Sequence, residues 1–348
     1  MWKSGKEDAM EKTKPFLSLV VPCYNSGRYI ERLLQSVVDC EMNDIEVILS
    51  DDCSPEDYQE HVDKFKGKLN ILQCKTTHNS GNPTNARELG ASLATGTYLT
   101  FMDHDDWMLP DGLKKWRSFV EEKNYPEYII CGFRQCDTAG NTQFEKYGCL
   151  DFLHGKFFKL ESFYRRCNIH FKPDIFHKED TWVCAQANCN CIKYDIEPLF
   201  TNFCTYVWHN NEVSLSHKID AAERNGDTRV TIERCQTNVM IEREIYFKFF
   251  DEGSMPMPVA RTWFIRSFIN FYLDVELNHS CYEALEPLLK EYLKEIESRL
   301  QMSADDIIEF SLVTNAFNEQ LYEFFEMHEP NFTWHETFPE FVRNLEER

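Results

Sequence analysis

Five short apolar segments recur between residues 16 and 133, and this pattern constrains the fold more than any other feature. They are FLSLVV (16–21), IEVILS (45–50), LNILQC (69–74), YLTFM (98–102) and EYIICGF (127–133). Segments of this length bounded by turn residues predict buried strands. RYIERLLQSVV and LPDGLKKWRSFVEE between them have helical spacing, as does the stretch through Leu89 that Gly96 closes. Strands that alternate with helices predict a mostly parallel, doubly wound α/β sheet.

Polar side chains follow the predicted strands at their carboxyl ends. Tyr24 and Asn25 come after the first strand, Asp51 and Asp52 after the second, and residues 103–106 (DHDD) after the fourth. Ligands of open α/β sheets bind at this edge. Carboxylates this close repel one another unless solvent, protons or a cation relieve the repulsion. The chain has neither GxGxxG nor GxxxxGK[ST], so a dinucleotide Rossmann site and a P-loop are both disfavoured.

Changes in pattern along the chain predict two folded domains. Residues 1–14 form a charged tail, 15–217 carry the sheet pattern, and 218–348 form a helical domain. Between about 140 and 215 the pattern is less regular. This part contains two strand-like segments, 192–200 (IKYDIEPLF) and 203–209 (FCTYVWH).

The last 130 or so residues are rich in aromatic side chains and in helical periodicity. Helices are predicted over 229–250, 259–275, 283–300 and 305–327. TWFIRSFINFY (262–272) is apolar almost all round, which predicts the centre of a helical packing unit. Helices of this kind could serve dimerisation, acceptor binding or stability, and a homodimer through them is one expectation.

The composition limits the classes of partner. The formal net charge is -21, which argues against nucleic-acid binding because counterion release needs clustered Lys and Arg. It also argues against strong adsorption to anionic membranes. The N-terminal MWKSGKEDAMEKTK lacks the apolar segment of a signal peptide, and no apolar run of 18 residues predicts a membrane span. We therefore expect a cytoplasmic protein with at most peripheral membrane association.

The order of these segments resembles family 2 glycosyltransferases of the GT-A fold over roughly residues 15–215. Five motifs in the same order carry the resemblance: LSLVVPCYNSGRYIERLLQSV, VILSDDCSPE, NSGNPTNARELGASLATGTYLTFMDHDDW, GKFFKLESFYRRCNIHF and HKEDTW. Bacterial enzymes that build cell-surface glycans look like this. The resemblance implies a metal-dependent, inverting transfer of a sugar from a nucleotide-sugar, a UDP-sugar, to a glycan or lipid-linked acceptor.

The resemblance identifies Asp103-His104-Asp105 as the DxD motif that binds Mn²⁺ or Mg²⁺, ions that prefer carboxylate and phosphate oxygens. It implies that Asp105 is the direct ligand and that Asp103 faces the ribose or a metal-bound water. His209 falls where some relatives offer a further metal or phosphate contact. His104 stands where the family more commonly has Ser. The QxxRW motif of processive members is absent, which favours the addition of one sugar at a time.

Other residues are implied to hold the donor. Asp51, or its neighbour Asp52, would accept hydrogen bonds from uracil or ribose, and Arg87 would pair with a donor phosphate or with Asp103. The full donor-binding set that the resemblance implies is Pro22, Tyr24, Asn25, Asp51, Asp52, Asn82, Arg87, Asp103 and His104. The acidic pair Glu179-Asp180 in HKEDTW is implied to act on the acceptor, with Asp180 as the catalytic base and Glu179 as an orienting group.

Each of these residues also has an ordinary structural interpretation. Asp51-Asp52 could cap a helix, and Glu179-Asp180 could reflect the preference of helix starts for acids. His209 could be a packed or capping histidine, and Arg87 a surface ion-pair partner. Two other functions stay open. A nucleotidyltransferase would need a Gly-rich basic loop, which PCYNSGRY matches poorly, and an inactive glycan-binding relative would lack the acidic motifs.

Overall fold

The computed structural model describes residues 14–173, 175, 178–211, 228–320 and 334–347. The chain divides into two compact units. The first contains residues up to Phe176 together with Ile196–Asn210, and the second contains His177–Asp195 and the chain from Asn211 onward. The predicted boundary at 217/218 and nearly all of the predicted tail 1–14 lie outside the described residues.

The first unit is built on a nine-stranded sheet whose first half is parallel. Its strands are β1 (Leu17–Cys23), β2 (Ile45–Asp51), β3 (Asn70–Lys75) and β4 (Tyr98–Phe101), in the order β3-β2-β1-β4. All pairs in this half are parallel, as predicted. The apolar segments become strands because β1, β2 and β4 are buried along their whole length.

The other half of the sheet is mixed, so the prediction of a mostly parallel sheet holds only for β1–β4. The further strands are β5 (Trp107–Met108), β6 (Tyr128–Cys136), β7 (Thr142–Lys146), β8 (Lys156–Lys159) and β9 (Leu199–His209). The order continues from β4 as β8-β6-β9-β5, and β7 pairs with β6. β8 is antiparallel to both of its neighbours, whereas β6 and β9 are parallel.

The helices of the first unit follow the predicted amphipathic segments. They are α1 (Ile30–Asp39), α2 (Gln59–Asp63), α3 (Thr84–Leu93) and α4 (Pro110–Glu122), and a π-helical turn spans Leu160–Arg165. α3 ends three residues before Gly96, so Gly96 does not close it as predicted. A Cβ on Gly96 would lie 2.7 Å from the backbone nitrogen of Ser18, so glycine is needed there for close packing.

The second unit is helical. Its α-helices are α5 (Glu179–Tyr194), α6 (Thr228–Ile241), α7 (Lys248–Asp251), α8 (Met257–Leu277), α9 (Tyr282–Leu300), α10 (Ala304–Val313) and α11 (Phe338–Glu347). A π-helical segment, Glu242–Phe247, joins α6 to α7. As predicted, residues 262–272 lie at the centre of the packing of this unit, since Phe264, Phe268 and Phe271 are buried. No helix in the described ranges is long and apolar enough to span a membrane.

Two predictions of secondary structure are wrong. The strand predicted over 192–200 begins only at Leu199, because residues 192–194 are the last turn of α5. Ile192 and Tyr194 are exposed there, so these apolar residues do not belong to a buried strand. The helix predicted over 305–327 is interrupted: its first part ends at Val313, residues 316–320 are helical again, and residues 321–327 lie outside the described part.

Candidate active site

An acidic turn, defined as residues 103–106, follows β4 at the carboxyl edge of the parallel strands. The amide of Asp106 donates to the carbonyl of Asp103 at 3.1 Å and closes the turn. The buried carboxylate of Asp106 then accepts from the hydroxyl of Tyr206 and, at 2.7 Å, from the amide of His209. Asp106 therefore attaches the end of β9 to the turn.

The two outer carboxyl groups of the turn are perturbed in opposite directions. Burial alone would raise the pKa of Asp103, but the charge of Arg87, its hydrogen bond and the neighbouring histidines together outweigh burial and hold the pKa below its ordinary value. Burial and repulsion from Asp105 and Asp103 raise the pKa of Asp106 well above its ordinary value. The hydrogen bonds that Asp106 accepts offset only part of this. The turn is thus an uneven set of charges that a cation would relieve.

Asp103, Asp106 and His154 form a group that could hold a metal ion. One ligand atom from each lies within 4.8 Å of the others. Of the predicted ligands only Asp103 belongs to this group, so the assignments of Asp105 and His209 as ligands stay predictions. Two oxygen ligands and one imidazole suit Mn²⁺ and also admit Mg²⁺.

No motif or periodic pattern in the sequence identified His154 as a candidate ligand. It lies in the irregular part of the chain just before β8, and its ring is 4.7 Å from Tyr206 and 5.6 Å from Trp208, between centroids. The next residue, Gly155, has a φ of +70°, and a Cβ there would lie 2.7 Å from the carbonyl oxygen of Cys131. This close approach of β6 positions His154, and only the tertiary fold reveals it.

Arg87 pairs with Asp103, which was one of its two predicted partners. Its Nη2 lies 2.6 Å from Oδ1 of Asp103, and the Arg87 side chain is 4% exposed while that of Asp103 is 36% exposed. The guanidinium also lies over the ring of Phe171, 5.7 Å from its centroid. Because Arg87 is buried, it is not a surface ion-pair partner. It fixes one face of Asp103 and leaves the other open.

Asp51 and Asp52 are both buried but have different partners. Asp52 accepts from the hydroxyl of Thr76 at 2.9 Å and from the amide and hydroxyl of Ser80 at 2.8 and 2.9 Å. It therefore holds the loop after β3. Asp51 accepts from Ser54, and its Oδ2 lies 3.2 Å from Nζ of Lys75. Neither carboxylate caps a helix, since α2 begins only at Gln59.

The loop after β1 lies beside the acidic turn. Tyr24 is exposed, and Asn25 takes a left-handed φ of 51° with its amide donating to Ser54 at 3.0 Å. Nδ1 of His104 donates to the carbonyl of Pro22 at 3.3 Å. The turn and the loop are thus joined through His104, a contact that a serine side chain is too short to copy.

Two other predicted residues present buried polar atoms. Oδ1 of Asn82 accepts from the amide of Thr84 at 2.9 Å, while its Nδ2 has no hydrogen-bond acceptor in the described part of the chain. His209 packs against Trp107 and Tyr29, with ring centroids 5.7 and 6.2 Å away. Burial lowers the pKa of His209. His209 is thus a packed histidine, and its role as a metal or phosphate ligand stays a prediction.

The acidic pair Glu179-Asp180 occupies the first turn of α5, as predicted, and both residues are half-buried. The turn is preceded by Lys178, which has a left-handed φ of 62°. Carboxylates at this position are stabilised by the helix dipole. The pair belongs to the second unit, and its role in catalysis stays a prediction.

Part of this chain is similar to known glycosyltransferases. Residues 18–177 match the model of glycosyl transferase family 2. Poly(ribitol-phosphate) beta-N-acetylglucosaminyltransferase TarS of Staphylococcus aureus is 36% identical over 115 residues, which are 32% of this chain and 20% of TarS. An uncharacterized glycosyltransferase of Haemophilus influenzae is 30% identical over 151 residues, 42% of this chain and 60% of that protein.

Solved structures show the same fold. The crystal structure of S. aureus TarS 1–349 in complex with UDP-GlcNAc has a TM-score of 0.57 at 16% identity and covers 89% of this chain and 90% of that chain. The aligned part spans between about a fifth and three fifths of the length of these curated relatives. The match to the family model and the shared fold lead to one conclusion: residues 18–177 resemble glycosyl transferase family 2, and the chain has the GT-A fold of TarS.

Proposed function

We propose that the protein is a metal-dependent, inverting glycosyltransferase that moves a sugar from a UDP-sugar to a hydroxyl group of a glycan. The observation that carries the proposal is the acidic turn at the carboxyl edge of β4, where Asp103, Asp106 and His154 converge and Arg87 fixes Asp103. Relatives named as glycosyltransferases, and a neighbour whose structure contains UDP-GlcNAc, support a nucleotide-sugar donor.

A divalent cation fits the residues present. The group Asp103, Asp106 and His154 would hold it, with Asp105 and His209 as the further ligands predicted from the sequence. When bound, such a cation neutralises the charge that develops on the leaving diphosphate. The raised pKa of Asp106 supports this assignment, because crowded carboxyl groups ionise fully only beside a positive charge.

The residues of the chain orient the donor around this centre. Arg87 holds Asp103 ionised through a 2.6 Å contact, so one carboxylate is always available to a cation or ribose hydroxyl. Asn82 offers a buried amide donor that no described residue uses. Exposed Tyr24 provides a surface on which a base can stack, beside the loop that Asp51 orders through Ser54.

Asp180 is proposed as the base that removes the proton of the acceptor hydroxyl, and Glu179 as the group that orients the acceptor. An acceptor hydroxyl is a poor nucleophile until its proton is taken. The displacement is then a single in-line step that inverts the anomeric carbon. One relative, TarS, is named as a poly(ribitol-phosphate) transferase, and another, TuaG of Bacillus subtilis, is named as a teichuronic acid biosynthesis glycosyltransferase. Both names favour an acceptor in cell-surface polysaccharide synthesis. A cytoplasmic location with peripheral membrane contact suits such a substrate.

The test measures UDP release from a panel of UDP-sugars with Mn²⁺ and candidate acceptors. Asp180→Asn should abolish turnover and leave UDP affinity near that of wild type. Asp105→Ala should weaken Mn²⁺-dependent UDP binding by at least about tenfold. Asp111→Asn, an exposed acid in the first turn of α4, is the matched control and should behave like wild type.

Several results would contradict the proposal. No nucleotide release with any sugar, together with no metal-dependent nucleotide binding, would favour an inactive glycan-binding relative. Release of pyrophosphate from UTP and a sugar phosphate would indicate a nucleotidyltransferase. Full activity in Asp180→Asn would show that another group is the base.

A further inference from the structure

The helical unit contains a group of ligand-bearing side chains that the proposed transfer does not use. Glu276 lies in the last turn of α8, His279 lies in the 3₁₀ turn that follows, and His335 lies just before α11. One ligand atom of each is within 4.8 Å of the others. Two residues three positions apart and a third that is distant in sequence thus bring a carboxylate and two imidazoles close together.

Glu276 is a buried carboxylate with few partners. Its side chain is 0% exposed, and its Oε2 accepts from the amide of His335 at 2.7 Å. Its Oε1 is buried and accepts no hydrogen bond from the described residues. An isolated buried carboxylate costs several kcal/mol unless a positive charge or a metal ion accompanies it. The unpaired Oε1 is therefore the atom of Glu276 that is open to a cation.

The cations that reach Glu276 within the described ranges are the two imidazoles, not lysine or arginine. Nδ1 of His335 lies 3.6 Å from Oε2, and Nδ1 of His279 lies 4.0 Å from Oε1. Their rings are stacked, with centroids 3.9 Å apart and 5° between the planes. Both nitrogen–oxygen separations are longer than a hydrogen bond, so neither imidazole satisfies the carboxylate in this arrangement.

We propose that Glu276, His279 and His335 bind a transition-metal ion of the Zn²⁺ class. Two imidazole nitrogens and one carboxylate oxygen are a ligand set that Zn²⁺, Co²⁺ and Ni²⁺ prefer, whereas Mg²⁺ prefers oxygen alone. Lone pairs of parallel rings do not converge, so one ring turns when the ion binds. His335 is 47% exposed and His279 is 38% exposed, so both have room to turn.

The ion would tie the segment before α11 to the connection between α8 and α9. The amide of His335 already donates to Glu276, and the hydroxyl of Tyr272 on α8 donates to the carbonyl of Glu336 at 2.7 Å. A metal bond would add a third link of much greater strength to these hydrogen bonds. The expected consequence is a structural role in the helical unit that is separate from sugar transfer.

The test titrates Co²⁺ into the metal-free full-length protein in excess Mg²⁺, which occupies all-oxygen sites. Wild type should develop visible ligand-field bands of a nitrogen-containing site, and Zn²⁺ should abolish them by competition. His335→Ala and His279→Ala should each lower the Co²⁺ affinity at least about tenfold. His61→Ala is the matched control, because His61 is a half-exposed histidine paired with Glu31, and it should bind like wild type.

Three results would overturn the proposal. They are the absence of ligand-field bands in wild type, retention of wild-type affinity in both His279→Ala and His335→Ala, and an equal loss in His61→Ala. Since the two histidines are partly exposed, their variants should fold, and far-UV circular dichroism checks this. The readout needs no glycosyl transfer, so a failure here leaves the proposed activity intact, and the reverse also holds.

Discussion

Glu242 should make the stability of the helical unit depend strongly on pH. It begins the π-helical segment Glu242–Phe247, and it is only 5% exposed. The hydroxyl of Ser267 donates to its Oε1 at 2.8 Å. Burial raises the pKa of Glu242 to about 8, and this hydrogen bond offsets only part of the rise. The folded chain therefore keeps this carboxyl protonated at neutral pH.

The size and sign of the effect follow from proton linkage. The unfolded chain releases the proton near the ordinary value of 4.5, whereas the folded chain retains it until about pH 8. Stability is highest at low pH and falls as the pH rises through this window, because the native state binds the extra proton. Since a tenfold change in proton affinity is worth about 1.4 kcal/mol, wild type should lose roughly 3 to 4 kcal/mol between pH 5 and 8 from this residue alone.

Glu242→Gln carries a neutral side chain of the same shape at every pH and removes this term. Urea unfolding followed by circular dichroism at pH 5, 6, 7 and 8 measures the free energy of unfolding. That of the variant should rise relative to that of wild type as the pH rises. Glu283→Gln, which changes an exposed residue in the first turn of α9, is the control and should follow wild type. Parallel pH profiles for wild type and Glu242→Gln would refute the argument that burial dominates this carboxyl group.

Three further substitutions test contacts of the first unit. Arg87→Met should lower the free energy of unfolding by roughly 2–3 kcal/mol, less than a fully buried pair costs because Asp103 is partly exposed; urea unfolding measures this. Asp52→Ala should lower the free energy of unfolding by roughly 1–3 kcal/mol, since it leaves the amide of Ser80 unpaired, and should accelerate amide exchange in the loop after β3; the hydroxyls of Thr76 and Ser80 keep carbonyl acceptors within the loop. Gly112→Ala should cost about 3 kcal/mol or lower the yield of folded protein, because its Cβ would lie 1.9 Å from the carbonyl oxygen of Cys204.

The sequence predicts the parallel half of the sheet well because three of its four strands are buried along their whole length. Burial selects a continuous apolar run, and β1, β2 and β4 have such runs. β3 differs, since its residues are exposed or half-buried, yet its place beside β2 still makes it a strand. The antiparallel insertion of β8 between β4 and β6 depends on long-range pairing, which no local pattern encodes.

The candidate site was predictable only in part, for a related reason. Asp51, Asp52 and Asp103 could be placed because each directly follows a recognisable strand, and the carboxyl ends of parallel strands share an edge. His154 follows no regular element, and the packing of Gly155 against β6 brings it to the turn. The sequence left two partners open for Arg87, a donor phosphate and Asp103, and the structure shows a 2.6 Å contact with Asp103.

The same contacts give the members of the acidic turn different roles. Asp103 has a lowered pKa and one face covered by Arg87, so it presents a permanent negative charge on its open face. Asp106 has a raised pKa and accepts hydrogen bonds on both oxygens from Tyr206 and His209, so in the absence of a cation it mainly holds β9 in place. A cation that draws Asp106 into full ionisation would strengthen those same hydrogen bonds, because bonds to a charged acceptor are stronger. Under the proposed function, cation binding at Asp103 would therefore be coupled through the Asp106 carboxylate to the position of His209 at the end of β9.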